Sequence, residues 1–238
     1  MIDFHTHIGT APDASLTADE LLAAMDRFGV ERAVVFPINE RRSGPQYSAL
    51  HDRIARAAER RPGRLVGFAR IVPSDPPSAR AELERMSSLG LRGVKLHPLS
   101  DAFNPPEAAF VLDFAAERGL PVIVHTAHNP GCTPAEWEPL AAERPSLTLV
   151  FAHSGRSLIE EAVEVALRRP NVLFDTSINI WFNLRYAASR LPASRFLFGS
   201  DLPYAHLELE LHKLRLIWSG ADLRAVLHDN AAAILGDD

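Results

Sequence analysis

The sequence predicts an α/β protein, a compact (β/α)8 barrel of the TIM type. Apolar strand-like runs alternate with helix-periodic segments nearly throughout, the pattern of βα units closing on a parallel sheet. Eight such runs fit in 238 residues, a normal length for one barrel, and no linker divides them. The first strand also leads into HTHIGTAPD, where a doubly wound open sheet would carry a Gly-rich phosphate turn. Residues 1–238 are therefore expected to form a single domain.

Taken in order, the expected strands are IDFHTHI (2–8), RAVVFP (32–37), LVGFARIV (65–72), LRGVKLH (91–97), LPVIVHT (120–126), LTLVFAH (147–153), VLFDTS (172–177) and RFLFGSD (195–201). Between them, stretches such as LTADELLAAMDRFG, SALHDRIARAAERR, PPEAAFVLDFAAERG and SLIEEAVEVALRRP repeat apolar residues at three- and four-residue spacing, as amphipathic helices do. Gly, Pro or Arg marks their ends. Thr17 and Glu20 have the spacing of a capping box for the first helix.

Composition narrows the function classes. With 47% hydrophobic and 23% charged residues the chain reads as globular, and no apolar run reaches membrane-spanning length. A net charge of -5 and a pI near 6.1 give no global attraction to nucleic acid or anionic membrane, so a small-molecule substrate is expected. The lone Cys132 cannot form an intrachain disulfide, and no basic segment precedes a long apolar stretch; a cytoplasmic location is expected. Oligomeric state is not written in the sequence, and a homodimer is one open alternative because barrel enzymes often pair.

A barrel builds its active site at the C-terminal ends of its strands, and there the metal-binding residues gather. The first strand supplies His5 and His7, which as i and i+2 share one face; the fourth supplies Lys95 and His97 in the same relation; the fifth, sixth and eighth supply His125, His153 and Asp201. Any one of them alone is more often a packed histidine or a capping aspartate. Five of the ten histidines falling at strand ends point instead to a shared divalent ion. Imidazole and carboxylate suit Zn²⁺ and also Mn²⁺, Fe²⁺ or Co²⁺, and an open coordination position would lower the pKa of a bound water toward ~7.

The runs IDFHTHIG, GVKLHP, VIVHT, VFAHSG, FGSDLPY and HDNAAAILG, spread from Ile2 to Gly236, resemble the amidohydrolase superfamily. The most similar branch is the amidohydrolase-2 group, which includes aminocarboxymuconate-semialdehyde decarboxylase-like proteins. The resemblance implies His5, His7, His125 and Asp201 as metal ligands, His153 orienting or deprotonating the water, and Asp201 serving also as proton shuttle. One ion is favoured over two. Lys95 and His153 would join the ligand set if two bind, with Lys95 carboxylated; otherwise Lys95 is an ammonium facing a substrate carboxylate or a nearby carboxylate side chain.

Substrate contacts are expected from His97, Lys95, Arg156 at the start of the sixth helix, Trp181 and Tyr204, against the plainer readings of solvated arginine and packed aromatics. Phe182, Trp137 and His206 rank below these, and His51, His212 and His228 receive no role. The expected activity is hydrolysis of a small-molecule C–N, C–O or lactone bond. Non-oxidative decarboxylation of a small carboxylic acid is the alternative, followed by phosphodiester cleavage of the TatD type, which would place a glutamate on the fourth strand.

Overall fold

The computed structural model describes residues 1–42 and 44–236. Eight parallel strands are named here in barrel order: β1 (Ile2–Thr10), β2 (Arg32–Pro37), β3 (Leu65–Gly67 and Ala69–Arg70), β4 (Val94–Leu96), β5 (Val122–His125), β6 (Leu149–Ala152), β7 (Val172–Asp175) and β8 (Phe196–Leu197). Ladders join β1 through to the first piece of β3, and the second piece of β3 through to β8. The cylinder closes at the remaining seam. Phe4 N–H donates to the Phe198 carbonyl at 2.7 Å, Asp201 N–H to the His5 carbonyl at 2.7 Å and His7 N–H to the Leu202 carbonyl at 2.8 Å.

Six of the expected strands, β3 to β8, are shorter than their apolar runs. β3 breaks at Phe68, whose ring lies where a β-carbon on Gly93 would come within 2.4 Å of it, so only glycine lets the two strands approach. β4 begins at Val94 rather than residue 91. β8 keeps two ladder residues, because the chain from Phe198 onward turns its hydrogen bonds from β7 to β1.

Helices α1 (Ala18–Phe28), α2 (Ser48–Arg60), α3 (Pro76–Ser88), α4 (Ala109–Glu117), α5 (Pro134–Glu143), α6 (Ile159–Arg168), α7 (Trp181–Arg190) and α8 (Leu207–Arg215) follow the strands in turn. The Thr17–Glu20 capping box forms, and Gly29 ends α1 in the left-handed conformation at φ 73°. The helices bury apolar stripes against the outside of the cylinder; α6, for example, buries Ile159, Ala162, Val163, Val165 and Ala166. Among the described residues no helix is long and apolar enough to cross a membrane.

A second cluster fills the cylinder itself: Ile2, Phe4, Val34, Phe36, Val66, Phe68, Ile123, Val150 and Leu197, joined by Ala231 and Leu235 of the last helix, Asn230–Leu235. That helix plugs the N-terminal end and leaves the C-terminal end for a site. The register of β1 slips between Asp3 and Thr6. Both Phe4, 5.8 Å from Phe68 between ring centroids, and His5, 4.9 Å from Phe36, consequently face inward.

Candidate metal centre and active site

At the C-terminal end of the barrel, a cavity of about 180 Å³ is lined by His5, His7, Lys95, His97, His125, His153 and Asp201, with Asn39, Arg156, Ile178 and Tyr204 at its walls. Nearly all the expected site residues therefore meet in one place. Trp181 is not among the lining residues. It stacks under Arg185, 5.2 Å from its ring centroid, at the start of α7. Trp137 is fully buried in the helix layer, its indole N–H donating to the Gly131 carbonyl at 2.9 Å.

The ring tautomers follow from the partners. His5 Nδ1–H donates to Asp175 Oδ2 at 2.7 Å, and His7 Nδ1–H donates to the Pro37 carbonyl at 3.2 Å. Each ring then presents Nε2 to Asp201 Oδ1, at 3.1 Å from His5 and 3.0 Å from His7. His5 Nε2 is buried and makes no hydrogen bond. Burial pushes His7 down to about 4, so it is neutral near pH 7. Two lone-pair donors and a carboxylate oxygen thus converge with no proton between His7 and Asp201, an arrangement that calls for a cation. His5 shows the same demand: burial and Lys95 oppose its charging, yet Asp175 and Asp201 raise it above the ordinary imidazole value.

His153 comes closer to this centre than the resemblance implies. One donor atom from each of His5, His153 and Asp201 lies within 4.8 Å of the other two, a spacing that could hold one metal ion. Ser177 Oγ–H donates to Asp175 Oδ2 at 2.6 Å, so it accepts from His153 Nδ1–H at 2.9 Å. The His153 Nε2 lone pair therefore faces inward, 3.2 Å from His125 Nδ1. Burial pushes His153 down to about 3. His125 stacks on His97, ring centroids 4.0 Å apart and 9° from parallel, and burial followed by neighbouring charge holds both well below the imidazole range.

Lys95 is 1% exposed, with its ammonium 4.8 Å from the centre of the Phe36 ring. Burial lowers it to about 8. Arg156 does not begin a helix: residues 153–156 form a left-handed run, and α6 starts at Ile159.

Sequence reasoning missed two carboxylates. Asp175 ends β7 and accepts from His5 Nδ1, His153 N–H, Ser177 N–H and Ser177 Oγ. Although burial works against its charge, His5 first and then its hydrogen bonds keep it well below the usual carboxylate range. Asp3 Oδ1 accepts from the amides of His5 at 3.1 Å and Ser200 at 2.9 Å, bracing both ligand-bearing strands, and burial pushes it up to about 7. The available signal was position alone, an aspartate in VLFDTS at the end of a barrel strand.

The family model described as amidohydrolase matches residues 2–236. No curated protein sequence matches the chain. An uncharacterized TIM-barrel protein from Bordetella bronchiseptica superposes with a TM-score of 0.81 at 22% identity, covering 98% of this chain and 97% of its own. A dihydroxybenzoic acid decarboxylase from Polaromonas sp., with bound manganese and an inhibitor, gives 0.77 at 17% identity and covers 98% and 96%. A probable 2-pyrone-4,6-dicarboxylic acid hydrolase from Acinetobacter baumannii gives 0.74 at 16% identity, covering 99% of each. At these identities the likeness is one of fold.

Proposed function

The chain belongs to the amidohydrolase family, and from that premise we propose that it is a metal-dependent hydrolase cleaving a C–N, C–O or lactone bond in a small carboxylate-bearing molecule. The observation that carries this reading is the convergence of the His5 and His7 Nε2 atoms on Asp201 Oδ1, with His125 and His153 beside them. We assign His5, His7, His125 and Asp201 to a single ion. Zn²⁺ suits the imidazole-rich donor set best, with Mn²⁺, as in the Polaromonas structure, the next choice. The ion would lower the pKa of water and polarise a substrate oxygen.

The remaining steps belong to side chains. His153, neutral and with Nε2 turned inward by Ser177 and Asp175, takes a proton from the attacking water, and Asp201 helps pass it to the leaving group. Lys95 and Arg156 supply positive charge for a substrate carboxylate, with His97 and Tyr204 as further contacts. The cavity is below the ~300 Å³ at which drug-sized pockets begin, which favours a small substrate.

A second reading, non-oxidative decarboxylation, draws support from the same two cations, because Lys95 and Arg156 would hold a carboxylate beside the ion. The fourth strand carries Lys95 and His97 where a TatD-type phosphodiesterase would place glutamate, so that reading has less support. The test is metal analysis of the purified protein, then a panel of lactones, amides, esters and aromatic acids followed by acid production and CO₂ release. We expect about one equivalent of metal and hydrolysis without CO₂. His153→Asn is expected to retain the metal and lose at least ~10²-fold in turnover. CO₂ release would move the assignment to decarboxylase; a metal-free protein, or unchanged turnover in the variant, would overturn the mechanism.

A further inference from the structure

We infer that Asn179 and Asn183 are positioning residues, whose side-chain amides hold residues 153–156 in a left-handed run and thereby aim His153 and Arg156 at the cavity. The run is unusual. His153, Ser154, Gly155 and Arg156 have φ of 61°, 49°, 78° and 51°, and three of the four carry a β-carbon. Non-glycine residues enter this region uncommonly, usually singly, and when they do so at a ligand-facing cavity the surrounding structure must hold them there.

The holding groups come from the ends of β5 and β7 and from the first turn of α7. In the middle of the run, Ser154 Oγ donates to the Asp175 carbonyl at 2.7 Å and Gly155 N–H donates to Thr126 Oγ1 at 2.9 Å. At its two ends, Asn179 Nδ2 donates to the His153 carbonyl at 2.9 Å, and Asn183 Nδ2 donates to the Arg156 carbonyl at 3.0 Å. The Asn179 amide cannot be flipped: its Oδ1 accepts from Ile180 N–H at 2.9 Å and from Asn183 Nδ2 at 3.0 Å, so its nitrogen must be the atom facing the run. The two asparagines, one helical turn apart, thus act as one clamp.

The clamp is itself anchored on α8. Lys213 Nζ donates to the Asn179 carbonyl at 2.8 Å, and Glu210, paired with Lys213, accepts from Ile178 N–H at 3.2 Å. Ile178 is a β-branched residue at φ 57° that lines the cavity. A path of direct contacts therefore leads from α8 through Asn179 to the backbone of His153. Neither asparagine is among the residues lining the cavity, so they act through the residues they hold.

The inference takes its meaning from the function proposed above, but its test does not require turnover. Asn179→Asp keeps shape and removes the donor to the His153 carbonyl; Asn183→Ala removes the bonds to the Arg156 carbonyl and to Asn179 Oδ1; Asn183→Gln is the conservative variant. Each is compared with the parent by ring ¹⁵N spectra of selectively labelled histidine in the Zn²⁺-loaded protein, by Mn²⁺ titration followed by electron paramagnetic resonance, and by thermal melting. We expect Asn179→Asp to shift the His153 ring resonances, to leave those of His212 and His228 in place, and to keep the Mn²⁺ dissociation constant within about threefold of the parent's, because the clamp holds the base and none of the assigned ligands. Asn183→Ala should shift His153 less, with partial recovery in Asn183→Gln, and it carries the test if Asn179→Asp does not fold. Unchanged His153 resonances in folded variants, with only the melting temperature lowered, would overturn the inference. Variants that shift as expected in a protein that hydrolyses nothing would keep the clamp and discard the hydrolase.

Discussion

A β-carbon built on Gly199 would sit 1.9 Å from Asp175 Oδ1 and 2.8 Å from the His5 β-carbon. No side chain can occupy that point without displacing the carboxylate that orients His5. Gly199→Ala is therefore expected to weaken metal binding at least ~10-fold, as loss of a ligand's outer partner does, and metal titration of the folded variant checks it. The glycine is visible in FGSDLPY, but its reason is not, because the atoms it makes room for come from β1 and β7. Asp175 was illegible for the same cause. His5, His7, His125, His153 and Asp201 could be read because several metal-ligating types recur at strand ends; a single aspartate in VLFDTS has no such company, and strand-ending aspartates are often mere caps.

Behind β3 the same lesson holds for pairs of elements. His51 of α2, whose place in a helical run suggests no role, is fully buried; its Nδ1 bonds Glu82 Oε1 of α3 at 2.5 Å and its Nε2 accepts from Arg70 N–H at 3.0 Å. Arg70 in turn grips Asp101 through two nitrogens, at 2.9 and 3.1 Å, and Asn39 at 2.6 Å, which sets the Asn39 side of the cavity. Helical periodicity marked α2 correctly but cannot show that a histidine on it meets a carboxylate 31 residues away. Although burial alone would raise Glu82, hydrogen bonds from His51, Arg85 and Ser48 lower it to about 2. A carboxyl depressed on folding adds stability above its ordinary value, near 4.5, and loses that contribution as pH falls toward about 2. Glu82→Gln should therefore melt lower at pH 7, by about 2 kcal/mol in stability, and show a flatter decline than the parent between pH 4.5 and 2. Melting curves across that range decide it; parallel declines would reject the linkage.

At the scale of the molecule, eight apolar runs sufficed to read a closed barrel, since strand and helix periods alternate without interruption. What the runs do not reveal is how the cylinder shuts, by β8 leaving β7 for β1 and by the last helix entering the floor through Ala231 and Leu235. An ion seated at that junction binds the folded chain and not the unfolded one, so saturating Zn²⁺ should raise the melting temperature and chelation should lower it. Occupancy at 100 times the dissociation constant corresponds to ~2.7 kcal/mol, and calorimetry with and without chelator measures it.

The junction between β1 and β8 also fixes when the centre can come into being. His5 lies near the amino terminus and Asp201 nearly two hundred positions later, yet their backbones are bonded directly. During synthesis at ~5–20 residues per second, the first imidazoles wait at least ~10 s for their carboxylate partner. Ion uptake by a chain growing on the ribosome should accordingly switch on late, once the eighth strand has emerged and docked, making acquisition of the cofactor a readout of completed topology.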